Sequence, residues 1–503
     1  MSNPKQLPSF YAGILFHSRS TPHAVAVVYG QRTITFRAFC KHIENVTRRL
    51  HDCGFEPGTR VGVAVQDGYL KWLLVIALAR MGLASVSLGG HPGEADFVKA
   101  GVVLHDGKES PGRRNITVGE DWGTAAADDL PAFRDRLHEL AAPCRIVLSS
   151  GTTGLPKKAL FTYEHLRARG RGTARTFGFN ASTRLLITMP ITTIGGFWMP
   201  VTVWSNGGAV VLTQPQGQVT FTRILMRSQP NVVFTSTAQL GAIVNELPAD
   251  FFPGEHLVAW VAGSALPAAL NRKARLRLTQ SLFTMYGSTE AGGVSVAHAA
   301  LSEARPSFAG WVLPTAQVEV VDEHGGLVAN GEMGEVRIRA EGLVDEYLED
   351  TAANDGSFRD GWFYPGDAGI LDDEGGLSIV GRTRELMNFG GVKVSPDSVE
   401  AELSKLPGMT DMAVFALEGP GGNQRPCVAV VAGEDFDESA IVRRFKRVWP
   451  TLPPIMISRV TAIPRNEMGK ILRIQLAATV GQAAAQAQSG SADQAAIAAS
   501  RPR

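Results

Sequence analysis

The chain has 503 residues, of which 44% are hydrophobic and 19% charged, and a formal net charge of +1. A chain this long exceeds one ordinary core and implies roughly two to four domains or subdomains. The composition excludes a disordered or fibrous protein. The near-neutral charge excludes a global field that would draw nucleic acid or an anionic membrane, so any anion site must be local.

Met1–Phe10 lacks the apolar stretch of a secretion signal. AVAVVYG (24–30) is short and β-branched and reads as a strand. TFRAFCKHIENVTRRLHDCG (35–54) carries apolar residues at helical spacing and closes on Gly54. RVGVAVQ (60–66) returns as a strand, and LKWLLVIALARMG (70–82) reads as a helix ending in Gly82. The apolar run 72–86 is broken by Arg80 and is too short to cross a bilayer. Prolines and glycines interrupt the other such run, 187–212. The rhythm recurs in GAVVLTQ, NVVFTST and HLVAWVAGS, so strands alternate with helices in the pattern of a parallel sheet with covering helices.

From about residue 308 closely spaced strands and glycine turns take over, as in AQVEVVDEHGGLVANGEMGEVRIRA. Beyond Arg382 a compact α+β pattern follows. Ser395 is placed as an N-cap with Pro396 at the first helical position, before the strands MAVFAL and PCVAVVAG. The fold class expected is α/β, with a large N-terminal domain of parallel and mixed sheets over 1–383. Its β-rich subdomain covers about 308–383. A small mobile α+β domain spans 384–476, and an Ala/Gln/Ser-rich tail, disordered or loosely helical, spans 477–503. Cys40, Cys53, Cys144 and Cys427 form no CxxC pair, and no HxxxH or HExxH spacing occurs, which argues against zinc and disulfide frameworks. A cytoplasmic protein is expected.

The segments that carry chemistry are glycine-rich. SSGTTGLPKK (149–158) follows the apolar RIVL. Its glycines let backbone N–H groups approach an oxyanion, Ser150, Thr152 and Thr153 add hydroxyls, and Lys157 adds charge. It lacks the GxxxxGK[ST] of a mononucleotide P-loop, and it also fits a plain surface loop. In MYGSTEAGG (285–293), Tyr286, Thr289 and Glu290 are placed on a glycine-bearing turn after the run SLF. A carboxylate beside an anion-binding hydroxyl makes sense with Mg²⁺ between it and a phosphate, or as a satisfied turn residue. In GWFYPGDAG (361–369), Asp367 on a tight turn and Arg382 just past a strand could face one ligand, the carboxylate accepting ribose hydroxyls. Asp372, Asp373 and Glu374 read as hairpin residues in water. In IPRNEMGKILR (463–473), Lys470 follows a glycine in a late loop, where a lone lysine is ordinarily solvated.

Taken in order, these segments resemble the core motifs of the adenylate-forming superfamily, which includes acyl- and aryl-CoA synthetases, nonribosomal-peptide adenylation domains and luciferases. The resemblance extends to STPHAVAVVYGQRTITFRAF, GFEPGTRVGV and GSALP (263–267), and covers roughly residues 10–476. It implies that a carboxylate is joined to ATP with release of pyrophosphate, and that a thiol of CoA or of a carrier-protein phosphopantetheine then displaces AMP. Lys470 would bridge the carboxylate and the α-phosphate. Ser150, Gly151, Thr152, Thr153, Gly154 and Lys157 would handle the β- and γ-phosphates. Thr289 would contact the α-phosphate and Glu290 would hold Mg²⁺. Gly263, Ser264 and Ala265, with Tyr286 and Gly287, would border the adenine, while Asp367 and Arg382 take the ribose. After a rotation hinged at Arg384, Gly390 and Gly391 would let the thiol arm pass.

Some positions depart from the family pattern. Arg384 stands where the hinge is usually Asp or Lys, and Glu385 replaces the usual Asp. Lys158 replaces a glycine beside the phosphates, and Thr193 stands where an aromatic or histidine is common. PITTIGGFW (190–198) offers no acid to hold an α-ammonium, whose unpaired burial is costly, so an acid without an α-amino group is expected. Gly195, Gly196, Gly292 and Gly293 would leave room for a ring or chain. No carrier domain is evident, so the acceptor is free CoA or a carrier in trans. The basic run VRRFKRV (442–448) reads as a CoA phosphate contact or a solvated helix face. The expected partners are small molecules, in a monomer or homodimer. No GxSxG occurs, which removes the serine-hydrolase reading. A non-catalytic nucleotide-binding relative is the remaining alternative.

Overall fold

A computed structural model of the chain describes residues 6–7, 10–89, 93–135, 138–149, 156–213, 220–251, 256–305, 307–389, 392–418, 424–465 and 471–482. Contacts group the chain into two compact units. Residues 1–303, 309–319 and 337–365 form the larger, and 304–308, 320–336 and 366–503 form the smaller. The sequence placed the division after 383. The contact grouping differs in that residues 333–335 pair with 368–370 and Asp367–Leu371 pairs with Gly376–Arg382, which gathers these ladders in the smaller unit.

The larger unit contains the helix Phe36–Asp52, capped where the Thr35 hydroxyl accepts the Ala38 N–H. Phe36, Phe39, Ile43, Val46 and Leu50 recur every three to four residues and are all fully buried, which is the stripe of an amphipathic helix. The helix Gly68–Met81 is buried nearly all round, starts on an Asp67 cap and stops at Gly82 in the left-handed conformation. Its buried charge, Arg80, is satisfied by Glu44 and Asp135 and lies 4.6 Å over the Tyr11 ring.

These helices flank two sheets. One contains Lys157–Thr162, Pro143–Ser149, Ala84–Ser87, Arg60–Ala64, Val102–His105 and Arg114–Thr117 in that spatial order, parallel except for the antiparallel first pair. In the other, Leu282–Ser288, Val258–Ala262, Val232–Ser236, Arg184–Ile187, Ala209–Leu212 and Val25–Tyr29 run parallel. The antiparallel Gly292–His298 lies beside Leu282–Ser288, and Arg32–Thr35 beside Val25–Tyr29. Valine, alanine and leucine on these strands pack with Leu240, Ile243 and Val244 of the helix Thr237–Glu246. The α/β class with mixed sheets expected from the alternating pattern is the class observed.

The smaller unit carries the helix Pro396–Leu403, with Ser395 as its N-cap and Pro396 at its start. A sheet of Met409–Glu418, Gln424–Ala432 and Met456–Arg459 is packed on both faces. Val414, Val428 and Val430 meet Val399, Leu403, Ile441 and Phe445. Ala413, Phe415, Cys427 and Ala429, one position out of phase, meet Ile463, Leu476 and Val480. The terminal helical stretch is therefore part of this core. Residues 477–482 are helical and Val480 is 6% exposed, so packing continues past 476, where the sequence began its tail. Among the described residues no helix is long and apolar enough to cross a membrane, and the four cysteines are free.

Arg473 is the electrostatic centre of this unit. It donates to Glu385 at 3.1 Å and to both oxygens of Glu400 at 2.9 Å, and it also pairs with Asp397. Burial raises the Glu400 carboxyl to about 7; Arg473 opposes that rise and Asp397 adds to it. The folded state thus keeps a proton that an unfolded glutamate releases near about 4.3, so stability is greatest below that value and declines as pH rises toward 7. Melting temperature should fall between about pH 5 and 7, and Glu400→Gln should flatten that slope. Identical slopes in the two proteins would rule out Glu400 as the source.

Candidate functional site

Several of the expected site residues lie outside the described residues: Ser150, Gly151, Thr152, Thr153, Gly154, Gly390, Gly391 and Lys470. Lys157, Gly263, Ser264, Ala265, Tyr286, Gly287, Thr289 and Glu290 belong to the larger unit, and Asp367, Arg382 and Arg384 to the smaller.

In the larger unit Tyr286 and Gly287 are in the strand Leu282–Ser288 and not on the turn expected for them, because the ladder to Gly292–His298 continues through a bulge at Tyr286/Gly287. A Cβ at Gly287 would stand 2.0 Å from the Gly292 carbonyl oxygen, so only glycine permits this approach. The turn proper holds Thr289 and Glu290. Arg169, from the helix Tyr163–Phe177, fastens it. Its guanidinium donates to the Thr289 carbonyl at 3.0 Å, to the Glu290 carbonyl, and to the Gly342 carbonyl at 2.8 Å. Burial holds Arg169 down to about 9, with Glu290 opposing the shift.

The Glu290 side chain is 5% exposed, and its Oε1 accepts the Tyr347 hydroxyl at 2.8 Å. The Tyr347 ring lies 4.4 Å beneath the Lys157 ammonium, which also donates to the Ser357 hydroxyl at 3.3 Å. One tyrosine therefore joins the cation at the end of the glycine-rich loop to the carboxylate of the turn. No cluster of three His, Cys, Asp or Glu side chains suited to a metal exists among the described residues. Glu290 alone fits Mg²⁺ in the way that ion usually binds, through one or two carboxylates together with substrate phosphates.

Lys158, the next residue on the strand Lys157–Thr162, faces the other way. It is 7% exposed, donates to the Phe97 carbonyl at 3.3 Å and pairs with Glu349 at 2.9 Å. Arg60 and Lys99 meet the same carboxylate at 3.0 and 3.1 Å. The hydrogen bond from Lys158 chiefly holds Glu349 down to about 2. The expectation that Lys158 adds charge beside the phosphates is thus corrected: strand alternation puts it in a structural ion cluster.

Thr193 caps the helix Ile194–Ser205, accepting the Gly196 N–H at 3.1 Å and donating to the Pro190 carbonyl at 2.9 Å. A Cβ at Gly196 would come within 2.0 Å of the Pro190 oxygen, so that glycine serves backbone packing rather than substrate room. Gly292, at φ +76°, likewise serves its turn. Arg145 went unmarked in the sequence. It is fully buried on Pro143–Ser149 and donates to the hydroxyls of Ser85 and Ser87 at 3.1 and 2.7 Å and to the Ile191 carbonyl at 3.0 Å. It ties the strand before the glycine-rich loop to the PITT segment. Gly263 has φ +99°, and the Ser264 carbonyl accepts the Thr237 hydroxyl at 3.2 Å.

In the smaller unit Asp367 and Arg382 are direct cross-strand partners, with the Arg382 Nε 3.1 Å from the Asp367 Oδ1. Both stand within strands, where the sequence placed one on a turn and one beyond a strand. Arg384 is exposed, and the longer arm of Glu385 reaches Arg473. In the helix Glu438–Val448, Ile441 and Phe445 are buried while Arg443, Lys446 and Arg447 are exposed, as a solvated face requires.

The geometry defines an α/β scaffold in which a lysine, a tyrosine and a buried glutamate are joined beside a clamped turn. Residues 16–348 match the family model for AMP-binding enzymes, and the chain belongs to that family. A 2-succinylbenzoate–CoA ligase of Listeria monocytogenes serotype 4b (strain F2365) is 25% identical over 474 residues, 91% of this chain and 97% of its own. A salicylyl-CoA synthase / salicylate adenylyltransferase of Streptomyces sp. is 26% identical over 515 residues, 89% of each chain. In fold the chain is similar to o-succinylbenzoate CoA synthetase (MenE) from Bacillus subtilis in complex with the acyl-adenylate intermediate OSB-AMP. The TM-score is 0.83 at 21% identity, over 94% of this chain and 98% of that one. The same Bacillus enzyme is solved with ATP and a magnesium ion, at TM-score 0.82 and 21% identity, over 94% and 99% of the two chains.

The two neighbouring lysines separate cleanly by experiment. Lys157→Met should weaken nucleotide binding by about 10-fold with little change in melting temperature, since one charge-assisted contact is worth about 1.5–3 kcal/mol. Lys158→Met should leave affinity intact and destabilise by about 1–3 kcal/mol; calorimetric titration and thermal melting read the two effects. Arg169→Lys cannot span three carbonyls. It should both lower the melting temperature and weaken nucleotide binding at least about 10-fold, as unsatisfied buried acceptors cost about 1–3 kcal/mol each. Unchanged affinity in a folded Arg169→Lys protein would refute the fastening role.

Proposed function

We propose that the chain is an AMP-forming acid–thiol ligase. It activates a carboxylic acid without an α-amino group, acyl or aryl, as its adenylate and passes the acyl group to CoA. The observation that carries this reading is the Lys157–Tyr347–Glu290 connection, with Thr289 on the turn clamped by Arg169. A carboxylate approaching an α-phosphate meets anionic repulsion of roughly 1 kcal/mol per contact near 4 Å in water and roughly 4 kcal/mol at an effective dielectric of 20. A fixed cation and a magnesium-holding carboxylate relieve that repulsion.

In this reading Glu290 holds Mg²⁺ against the phosphates and Thr289 contacts the α-phosphate. Ser150–Lys157 takes the β- and γ-phosphates. Asp367 and Arg382 take the ribose, Gly263–Ala265 and Tyr286–Gly287 border the adenine, and Lys470 supplies the charge at the reacting carboxylate. The turn from adenylation to thioester formation is hinged at Arg384 and brings up Gly390 and Gly391. Support comes from relatives named for CoA ligation and from a solved relative whose bound molecule is an acyl-adenylate. The second reading, loading of a carrier-protein phosphopantetheine in trans, shares every step but the last.

The test is pyrophosphate exchange and hydroxamate trapping with a panel of aryl, medium-chain and short acids, with and without CoA. Exchange should depend on one class of acid, and CoA should convert the adenylate to thioester. Lys470→Ala should lower exchange by about 10²–10³-fold, the usual effect of removing one transition-state donor. Adenylate that stalls with CoA and proceeds with a carrier protein would replace CoA as acceptor. No exchange with any acid would leave a nucleotide-binding relative.

A further inference from the structure

We propose that a cavity on the outer face of the helix Tyr163–Phe177 is a separate binding site for an amphiphilic dianion, an aryl or acyl body carrying two anionic groups. The cavity has a volume of about 470 Å³ and lies between that helix and Ile194–Ser205. Arg167, Arg171 and Arg175 line it, four residues apart, so they form one stripe along the helix. At 1.5 Å per residue their attachment points span about 12 Å. All three are exposed, and none has a hydrogen-bond or ion-pair partner among the described residues. Among the described residues no Asp or Glu lines the cavity.

This arrangement works against the helix. Like charges at i, i+4 repel, and surface arginines commonly offset such repulsion with an acid one turn away. Glu164 stands one turn before Arg167 without pairing with it, and Arg171 and Arg175 have no acid three or four residues away on the helix. The Thr202 and Ser205 hydroxyls are spent on the Trp198 and Val201 carbonyls, and the Asn206 amide on the Thr202 carbonyl. What lies between the guanidiniums and the second helix is apolar: Phe10, Leu166, Ala174 and the indole of Trp198. Trp198 is 7% exposed and its Nε1–H has no acceptor among the described residues. Gly170 admits this ring, since a Cβ there would stand 3.1 Å from Trp198 Cζ2.

An occupant must therefore supply negative charge at two places along the stripe and an apolar body beside the tryptophan. Guanidinium forks suit phosphate, sulfonate and carboxylate oxygens alike. The volume lies in the range of small-molecule sites. The site does not involve Lys157, Glu290 or Asp367, and the inference does not depend on the ligase reading.

The probe is naphthalene-1,5-disulfonate, titrated calorimetrically into the full chain. Fructose 1,6-bisphosphate serves as a probe with two anionic groups, more highly charged, and without an apolar body. The disulfonate should bind one to one, at least about 10-fold more tightly than the sugar bisphosphate. Arg171→Gln should weaken it by about 10-fold and the triple Arg167→Gln, Arg171→Gln, Arg175→Gln variant should abolish it, while melting temperature does not fall and AMP binding stays unchanged. Lack of saturable binding, or binding that survives the triple substitution, overturns the site. Equal binding of the two probes overturns the apolar half of the assignment.

Discussion

Arg169 is a cation sealed in the larger unit and bonded to three backbone carbonyls: those of Thr289, Glu290 and Gly342. The candidate site depends on this arrangement. A turn between two strands has carbonyls that no ladder satisfies, and burying them unpaired is expensive. The guanidinium answers several at once with a planar fork, and the π face of Phe161, 4.7 Å away, supports it from behind. The consequence is a division of labour. The backbone of the turn is consumed by structure, which fixes where the Thr289 and Glu290 side chains begin. Tyr347 then fixes where the Glu290 carboxylate ends.

Lys157 and Lys158 show how strand geometry assigns opposite duties to adjacent identical residues. The ladder to Pro143–Ser149 holds both. One side chain stands over Tyr347, and the other is buried among Phe97, Glu349, Arg60 and Lys99. Three cations around one carboxylate leave excess positive charge, which explains why Glu349 stays ionised far below the usual glutamate range. The charge beside the glycine-rich loop is therefore one lysine, and the other secures the sheet that carries it.

What the sequence made legible was local. The stripe Phe36–Phe39–Ile43–Val46–Leu50, the Gly82 stop and the Ser395-Pro396 start each need only spacing or a cap, and each appears where that physics puts it. The motifs at 285–293 and 361–369 marked the right residues but not their backbone. A glycine pair suggested a turn at Tyr286, whereas pairing with Gly292–His298 carries the strand through a bulge. Long-range bonds left no local trace. Arg169 meets partners more than a hundred residues away, as does Tyr347 with Lys157. Arg145 reads in sequence as an ordinary charge before a loop, and only the fold reveals the serines and the Ile191 carbonyl around it. Gly196 invited a reading of open space because a missing side chain looks alike whether substrate or backbone needs the room.

The smaller unit repeats the logic with charged partners in place of neutral ones. There one arginine gathers three carboxylates, where Arg169 gathers three carbonyls. Arg473 binds Glu385, one residue past the expected hinge, and Glu400 on the helix that Ser395 caps. It also donates to the Val414 carbonyl in the sheet at 3.0 Å. Arg473 follows Lys470 by three residues in sequence. An aspartate at 385 would be one methylene shorter and would have to draw the strand end toward Arg473. Glutamate closes the distance with the side chain alone. The substitution that looked like a departure in the motif is thus what lets the hinge-side chain and the late loop share one guanidinium. Arg473 is nine-tenths buried and Glu385 four-fifths, so separating the two would strand charge in the interior. For the rotation proposed at Arg384, keeping that contact is the cheaper course.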